Sequence, residues 1–414
     1  MILFLALAST VLFTIYALKS TSYKNPLIVF IILSPIVAAA WNYRYLGFSL
    51  VDIFYSFFIL LFFLRVLLRK EDISDFAYMK LFKIYFVLII FVSIYIGLNS
   101  GIVNSLDFFV KSLFMPIAFY LFFTYFTDFK SGKILAVGLI LSALFPLFFI
   151  LSQKLTGNVW FYRQTRGLTR YVGLYHDAAT LDVYLIQALI GIMLFWHYFL
   201  KRSQQILKYV LIVLFCLLLT GSYFLYTKTI FLTFALWLLA FLFIRRRVHV
   251  FVSILILLFF LNSISGQKIF SEINQVFSKE VEFVGGNLNM EAALSGRGGM
   301  WKNSMDFWSK LPFLEKILGA GKIYGGVHND YLRMLLSGGL LLLVFSVFLF
   351  AALILAVIKD FRKKKYFIHL TVILCILYYF IVSLGRVPGL YPNLQILTWG
   401  LVGLSLNMKE DWDK

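Results

Sequence analysis

The residues best suited to chemistry lie between positions 295 and 332, in the longest polar interval of a very apolar chain. This interval contains an isolated Arg297, a glycine-rich turn near residue 320, and His328 with Asn329 directly before an apolar run. A guanidinium group binds phosphate oxygens in a bidentate manner, and an imidazole can accept a proton near neutral pH. The pattern predicts a site for an anionic, lipid-linked substrate at a membrane surface.

A second basic group occupies the polar segment 154–176. Arg163, Arg166 and Arg170 stand three and four residues apart among aromatic side chains. If this segment is helical, the spacing puts all three guanidiniums along one face. We therefore expect these arginines either to bind a phosphate or to touch lipid headgroups.

Other polar residues have two interpretations each. His176 and Asp177 are adjacent and would point in different directions on a helix, which favours Asp177 as an N-cap and leaves a catalytic His176 as the alternative. Lys228, between two apolar runs, either snorkels to the headgroups or contacts a phosphate. Asn329 can cap the helix that follows it.

The stretch between Arg297 and the glycine turn reads GMWKNSMDFWSK. Its apolar residues, Trp301 among them, fall on one side of a helix that Leu311 and Pro312 should end. We expect this amphipathic helix to lie in the membrane interface with Arg297 at its N-terminal end.

The composition excludes an ordinary soluble domain, because 62% of the residues are hydrophobic, only 14% are charged and the mean hydropathy is +0.90. The net charge of +19 comes from Lys and Arg scattered through short loops, which indicates contact with membrane lipid and no nucleic acid. The two cysteines, Cys216 and Cys375, lie in separate apolar runs, so no disulfide is predicted. Glu280 and Glu282 have no supporting ligand at a suitable spacing, so no metal site and no cofactor are predicted.

The fold class is therefore all-α, a polytopic integral membrane protein formed by residues 1–414 as a single transmembrane domain with about 12–14 transmembrane helices. The first apolar run is interpreted as a transmembrane helix and not as a removed signal. Thirteen runs are long enough to be spans: 1–18, 26–41, 49–68, 81–97, 106–126, 133–153, 177–200, 206–221, 226–244, 248–264, 334–357, 366–384 and 393–407.

The distribution of Lys and Arg predicts the orientation of these spans. One set of connections contains 22 of these residues, and the short connections on the other side contain only Arg44, Lys111, Lys228 and Arg386. The positive-inside rule makes the first set cytoplasmic. The first outer loop (154–176) and the large outer loop (265–333) then share an extracytoplasmic face, and residues 265–294 form a surface subdomain or lid.

Several of these features together resemble the O-antigen polymerases and O-antigen ligases of bacterial envelopes, the Wzy and WaaL types. The resemblance rests first on a Ser-Gly-Arg before an aromatic helix (Ser295, Gly296, Arg297 and Trp301) and on a Leu-Gly-x-Gly turn (Leu318, Gly319 and Gly321). A His-Asn pair then enters a helix (His328, Asn329 and Leu332). Earlier in the chain are an Arg with a nearby Gly (Arg170 and Gly173) and a Thr-Lys pair (Thr227 and Lys228). Lysine at 228 departs from the usual arginine of the family.

The resemblance implies a GT-C-like fold and a metal-independent glycosyltransferase. It takes a glycan from undecaprenyl diphosphate and moves it to a sugar hydroxyl. His328 would be the general base, and Arg170 and Arg297 would hold the diphosphate with help from Arg166 or Lys228. The remaining expected substrate contacts are Arg163, Asn329, Trp301 and Tyr331.

The form of the sequence HNDYLR and the loop layout favour a polymerase of O-antigen or capsule repeat units. A ligase that transfers the glycan to lipid A core is the alternative, and a flippase or transporter is a third possibility from a different class. Undecaprenyl-diphosphate-linked oligosaccharide is the expected substrate, with a chain-length regulator and a flippase of the same pathway as partners. The expected location is the bacterial inner membrane, with the active site on the periplasmic face.

Overall fold

A computed structural model describes residues 1–20, 24–45, 48–68, 78–158, 160–161, 163–201, 203–245, 267–289, 291, 296–364 and 366–408. These residues are nearly all helical, and the described strands form two short antiparallel hairpins. The first hairpin joins β1 (Arg44–Tyr45) to β2 (Phe48–Ser49), and the second joins β3 (Arg163–Thr165) to β4 (Leu168–Arg170).

The architecture is that of a multi-pass helical membrane protein, as the composition predicts. Among the described residues, eight helical stretches are long and apolar enough to cross a membrane, and three further apolar helices are shorter. The apolar helices are, in chain order, α1 (Ile2–Lys19), α2 (Lys24–Ala38), α3 (Leu50–Leu68), α4 (Met79–Ser100), α5 (Ile102–Tyr125), α6 (Phe129–Ser142), α7 (Leu144–Thr156), α8 (Ala178–Leu194), α9 (Gln205–Phe224) and α10 (Lys228–Arg245).

Three polar or short helices follow, and then three apolar ones. The polar set is α11 (Gln267–Val284), α12 (Arg297–Lys310) and α13 (Phe313–Leu318), and the apolar set is α14 (Asp330–Lys364), α15 (Phe367–Gly385) and α16 (Pro392–Asn407). The expected helix after Arg297 is present, and it ends at Leu311 as predicted. The predicted span 248–264 and Ser295 lie outside the described residues.

The structure adds detail to two of the predicted spans. The run 133–153 lies within one apolar helical stretch, Phe129–Thr156, that is long enough to cross a membrane. Ala143 is a turn position between α6 and α7 within this stretch. The helix of the predicted span 206–221 is longer than predicted, since α9 continues to Phe224 and the chain turns around Tyr226, whose φ is 46°. Gly221 allows close helix packing, because a Cβ there would lie 2.9 Å from Leu147 Cδ1.

The core lies where α8, α5 and α16 meet. Nearly every residue of α8 is buried. Glycines bring α16 against α5, because a Cβ on Gly403 would lie 2.4 Å from the carbonyl oxygen of Phe119. This close backbone contact holds α16 against α5 near the C-terminal ends of both helices.

A second glycine contact joins the outer polar region to α14. Gly339 breaks α14 with φ 71° and ψ −173°. A Cβ at Gly339 would lie 2.0 Å from the carbonyl oxygen of Ile317, and one at Gly319 would lie 2.4 Å from that of Ser337. Ala320 N–H also donates to Leu336 O at 2.8 Å. The end of α13 is therefore held against the backbone of α14.

Candidate functional site

The segment that carries Arg170 is a hairpin, so the expected helical face of arginines is wrong. Arg163 and Arg170 are paired across β3 and β4. Arg166 and Gly167 form the turn with φ of 52° and 80°, as two-residue hairpin turns of the primed types require. The three arginines therefore point to different surroundings. Arg163 Nε donates to His176 O at 3.0 Å, which joins the hairpin to the start of α8.

Arg170 is half-buried at the end of β4. Its Nη2 donates to the carbonyl oxygen of Tyr226 at 3.3 Å. Its Nε is buried and has no hydrogen-bond partner among the described residues. Burial, followed by the charge of Arg386, lowers the pKa of Arg170. This guanidinium therefore keeps an unused buried donor in a positive environment.

Arg166 and Lys228 meet one carboxylate on α11. Arg166 Nη1 lies 3.4 Å from Glu280 Oε2, and Lys228 Nζ donates to Glu280 Oε1. The charges of Arg166 and Arg297 both reach Lys228. Lys228 therefore binds a carboxylate of the chain itself. Through Arg166 and Lys228, Glu280 holds α11 over the hairpin and the start of α10.

Arg297 is the first residue of α12 and is half-buried. Its Nη1 lies 2.9 Å from the position that a Cβ on Gly385 would take, so it presses against the end of α15. It forms no ion pair or hydrogen bond with any residue the structure describes. Burial and then the charge of Arg386 lower its pKa. The positive end of the α12 dipole adds to the charge at this place.

Arg386 entered the sequence analysis only as one of the few basic residues in the short connections that predict the orientation of the spans. It follows α15 and is nearly buried, with 17% of its side chain exposed, and its Nη1 lies 3.2 Å from Asp177 Oδ1. Asp177 caps α8 as predicted, accepting the N–H groups of Ala179 at 2.5 Å and Thr180 at 3.0 Å. Arg386 is therefore fixed by the cap of the most buried helix.

His328 lies in a conformation that is uncommon for its residue type. Its φ is 48° and its ψ is 33°, at the end of the short 3₁₀ turn Gly325–Val327. Non-glycine residues in this left-handed region are strained, and such residues concentrate at functional sites. The side chain is partly exposed, and neither ring nitrogen has a hydrogen-bond partner in the described part of the chain. No loop carbonyl among these residues therefore holds the imidazole.

A buried ion pair fixes the backbone next to His328. Arg333 Nε lies 2.6 Å from Asp330 Oδ1, with 7% and 1% of the side chains exposed. Gly389 N–H donates to Asp330 Oδ2 at 3.1 Å. A Cβ on Gly389 would lie 2.4 Å from Arg333 Nη2, so only glycine leaves room for the pair. This contact joins the start of α14 to the segment that carries Arg386.

The five basic side chains act on one another and form a set that we call the basic cluster: Arg166, Arg170, Lys228, Arg297 and Arg386. Three acids adjoin it: Asp177, Asp182 and Glu280. With all eight ionised, a net charge of two positive units is left over. His328 is at the edge of this cluster. Partial burial and then the charges of Arg297 and Arg386 lower the pKa of its imidazole.

Asp182 is the buried acid beneath this cluster, and the sequence analysis did not select it. Its Oδ2 accepts the hydroxyls of Thr227 at 2.8 Å and Thr229 at 3.1 Å. Its Oδ1 is buried without a hydrogen-bond partner among the described residues. A carboxylate in the second turn of an apolar helix is the signal that could have identified it.

The remaining predicted contacts lie farther from the cluster or have structural partners. Asn329 is buried and caps α14, with its Oδ1 accepting the N–H of Leu332 at 3.0 Å. Trp301 lines a separate cavity of about 600 Å³ with Glu291 and Lys302. Tyr331 is half-buried in the first turn of α14, beside Ser383 of α15.

The structure therefore brings Arg170, Arg297 and His328 around Arg386, and it draws Arg166 and Lys228 to Glu280 at the same place. It leaves Arg163, Asn329 and Trp301 in other contacts. Comparison with protein-family models and with curated protein sequences finds no match for this chain.

Proposed function

We propose that this chain is a glycosyltransferase that moves a glycan from undecaprenyl diphosphate to a sugar hydroxyl. One observation carries the proposal. Arg170 and Arg297 are half-buried around Arg386, whose charge also acts on His328, yet no acid among the described residues forms an ion pair with either. Taking a guanidinium out of water is costly unless an anion accepts its hydrogen bonds. A diphosphate diester carries two negative charges, which equals the positive charge left over when the basic cluster and its three adjoining acids are all ionised.

The chemistry assigned to each residue follows from its position. His328 takes the proton of the acceptor hydroxyl as the oxygen of that hydroxyl forms a bond to the anomeric carbon of the donor sugar. The bond from this carbon to the phosphate oxygen breaks, and its electron pair leaves with the diphosphate. Arg170, Arg297 and Arg386 stabilise the negative charge that grows on the departing group.

The electrostatics of His328 suit this role. A general base must be unprotonated at the working pH. The charges of Arg297 and Arg386, with partial burial, lower the pKa of His328, which favours the neutral imidazole. A GT-C-like arrangement, an inner-membrane location and a periplasmic site belong to the same proposal, as do the chain-length regulator and flippase as partners.

Glycan chain length in cells tests the proposal. His328→Ala and Arg297→Ala, at wild-type protein levels, should each abolish the ladder of polymer lengths. Lys302→Ala is a matched surface control, because Lys302 is exposed and pairs only with Glu291 among the described residues. Wild-type ladders from both site variants would refute the proposal.

Reconstitution separates the two transferase alternatives. We propose a polymerase, so purified chain with the carrier-linked repeat alone should give longer products. A ligase would give product only after lipid A core is added. Transport of the carrier-linked glycan without any transfer would instead support the flippase alternative.

A further inference from the structure

A cavity of about 190 Å³ with both apolar and polar walls lies beside the basic cluster, and we call it the side cavity. It is enclosed by α3, α5, the first turns of α8 and the segment that joins α15 to α16. Many of its lining residues carry charged, hydroxyl or amide groups: Asp52, Ser56, Asp107, Lys111, Thr180, Tyr391 and Asn393. No residue of the proposed diphosphate site lines it.

The side cavity and the basic cluster share two supporting segments. Thr180 lies in the first turn of α8, where its N–H bonds Asp177, the partner of Arg386. On the other wall, Leu390 and Tyr391 follow Arg386 and pack against a small apolar cluster that contains Val327, the residue before His328. A ligand in the side cavity therefore adjoins the segments that hold both the proposed base and the arginines.

Hydrogen bonds fix the walls of the side cavity. Gln395 Nε2 donates to the carbonyl oxygen of Lys111 at 3.2 Å, which joins α16 to α5. Asn393 Nδ2 donates to Tyr184 Oη at 2.5 Å, which joins α16 to α8. Fixed walls reduce the entropy lost when a ligand binds.

The charge of the side cavity is opposite to that of the basic cluster. Lys111 Nζ lies 2.7 Å from Asp107 Oδ1 and so neutralises that carboxylate. Asp52 forms no ion pair with a described residue: its Oδ2 accepts the hydroxyl of Ser49 at 2.6 Å, and its Oδ1 has no hydrogen-bond partner in the described ranges. The lining carries one net negative charge, which disfavours phosphates and carboxylated ligands and favours hydroxyl donors.

The size of the side cavity limits the ligand further. A volume of about 190 Å³ corresponds to roughly six water molecules at about 30 Å³ each. One hexose ring fills such a volume, and a disaccharide exceeds it. The ring of Tyr391 and the side chain of Val110 supply apolar surface for the carbon faces of a sugar ring, and the hydroxyl of Thr180 and the amide of Asn393 supply polar contacts.

We propose that the side cavity binds one uncharged pyranose ring of the acceptor glycan. That this ring belongs to the acceptor rests on the proposed transferase function, because the acceptor hydroxyl must reach His328. The wall residues Leu390 and Tyr391 pack against the apolar cluster that contains Val327, the neighbour of His328. The binding of an uncharged sugar ring rests on the cavity alone. The chain therefore separates recognition of a diphosphate by arginines from recognition of a neutral ring by carboxylates.

Saturation-transfer NMR on the purified full chain in nanodiscs tests the binding. The probes are methyl glycosides of neutral hexoses and N-acetylhexosamines at about 10 mM, with methyl glucuronide as the charged counterpart. We expect at least one neutral glycoside to bind and the glucuronide to bind at least fivefold more weakly. Ser56→Phe fills the side cavity and should abolish the signal, and Thr180→Val should weaken it. Ile53→Phe, in the same turn of α3 but at an exposed position outside the lining, should leave it unchanged.

The outcomes separate this inference from the proposed function. Failure of every neutral glycoside to bind wild type, equal binding of the glucuronide, or equal binding to Ser56→Phe overturns the side-cavity assignment. If glycosides bind as expected but the chain transfers no glycan from its carrier, the transferase proposal fails and the sugar site stands. If both hold, Ser56→Phe should raise the KM for the acceptor at least fivefold, while Arg297→Ala should abolish transfer and keep glycoside binding.

Discussion

Replacing Arg386 by Gln should reduce glycan transfer far more than it reduces stability. Arg386 has a structural contact with Asp177 at 3.2 Å and an electrostatic role toward Arg170, Arg297 and His328. Loss of the contact with Asp177 should lower stability, and loss of the charge should lower the transfer rate.

The structural contribution is small. Burial alone would raise the pKa of Asp177, but a contact with His176, the charge of Arg386 and two backbone N–H groups lower it from 3.8 to about 2. This change corresponds to roughly 2 kcal/mol for the ionised carboxylate. Arg386 is one of several causes, so Arg386→Gln should cost about 1 kcal/mol and lower Tm by about 2–4 °C.

The contribution to transfer is larger. Loss of one preorganised donor to a developing oxyanion lowers kcat by about 10²–10³. The assay is the initial rate of transfer by reconstituted protein, with Tm measured on the same preparations. Asp177→Asn is the matched control, because it removes the same ion pair but keeps Arg386, and it should retain most of the transfer rate.

Equal losses of transfer in Arg386→Gln and Asp177→Asn, with no further loss in the double variant, would refute this reasoning. That result would mean that Arg386 acts only by holding the end of α15 against α8. Arg386→Lys refines the test, since it keeps the charge but loses the bidentate geometry, and should recover only part of the rate.

Three further predictions follow from the site. Arg297→Gln should raise the pKa of His328, because it removes a positive charge that disfavours the imidazolium; NMR titration of the imidazole measures this, and an unchanged pKa would contradict it. Gly389→Ala should cost about 3 kcal/mol by breaking the buried ion pair beside it, whereas Gly326→Ala, with open space around it, should leave Tm within about 1 °C. Glu280→Gln should speed amide hydrogen exchange in α11, as measured by mass spectrometry, because it weakens the contacts that hold this helix; unchanged exchange would show that α11 is held by other contacts.

Local features of the site could be predicted from the sequence because their causes are local. Asn329 and Asp177 are N-caps whose side chains bond N–H groups two or three residues later. The end of α12 at Leu311 follows from Pro312, which disfavours helical backbone before it. Apolar runs of sufficient length likewise predicted most membrane helices.

Features that depend on distant contacts could not be predicted. Arg386 is one basic residue in a short connection, and its burial arises only because α15 ends against the cap of α8. The pairing of Arg166 and Lys228 with Glu280 depends on where α11 folds back, which no local spacing encodes. The hairpin at Arg166 and Gly167 did have a local signal in the sequence, because Gly167 follows Thr165 and precedes Leu168 at a position that suits a hairpin turn. The spacing of the three arginines directed attention to a helix.

The glycine contact between α13 and α14 determines where a label can be attached. Ala320 and Leu336 are joined by a backbone hydrogen bond, so the segment between them, which carries His328, is closed at both ends. An epitope inserted there would pull apart two touching backbones. The turn after α11 is exposed and has open space around Gly286, so an epitope at 285–289 can report which side of the membrane this region faces while the chain keeps its shape.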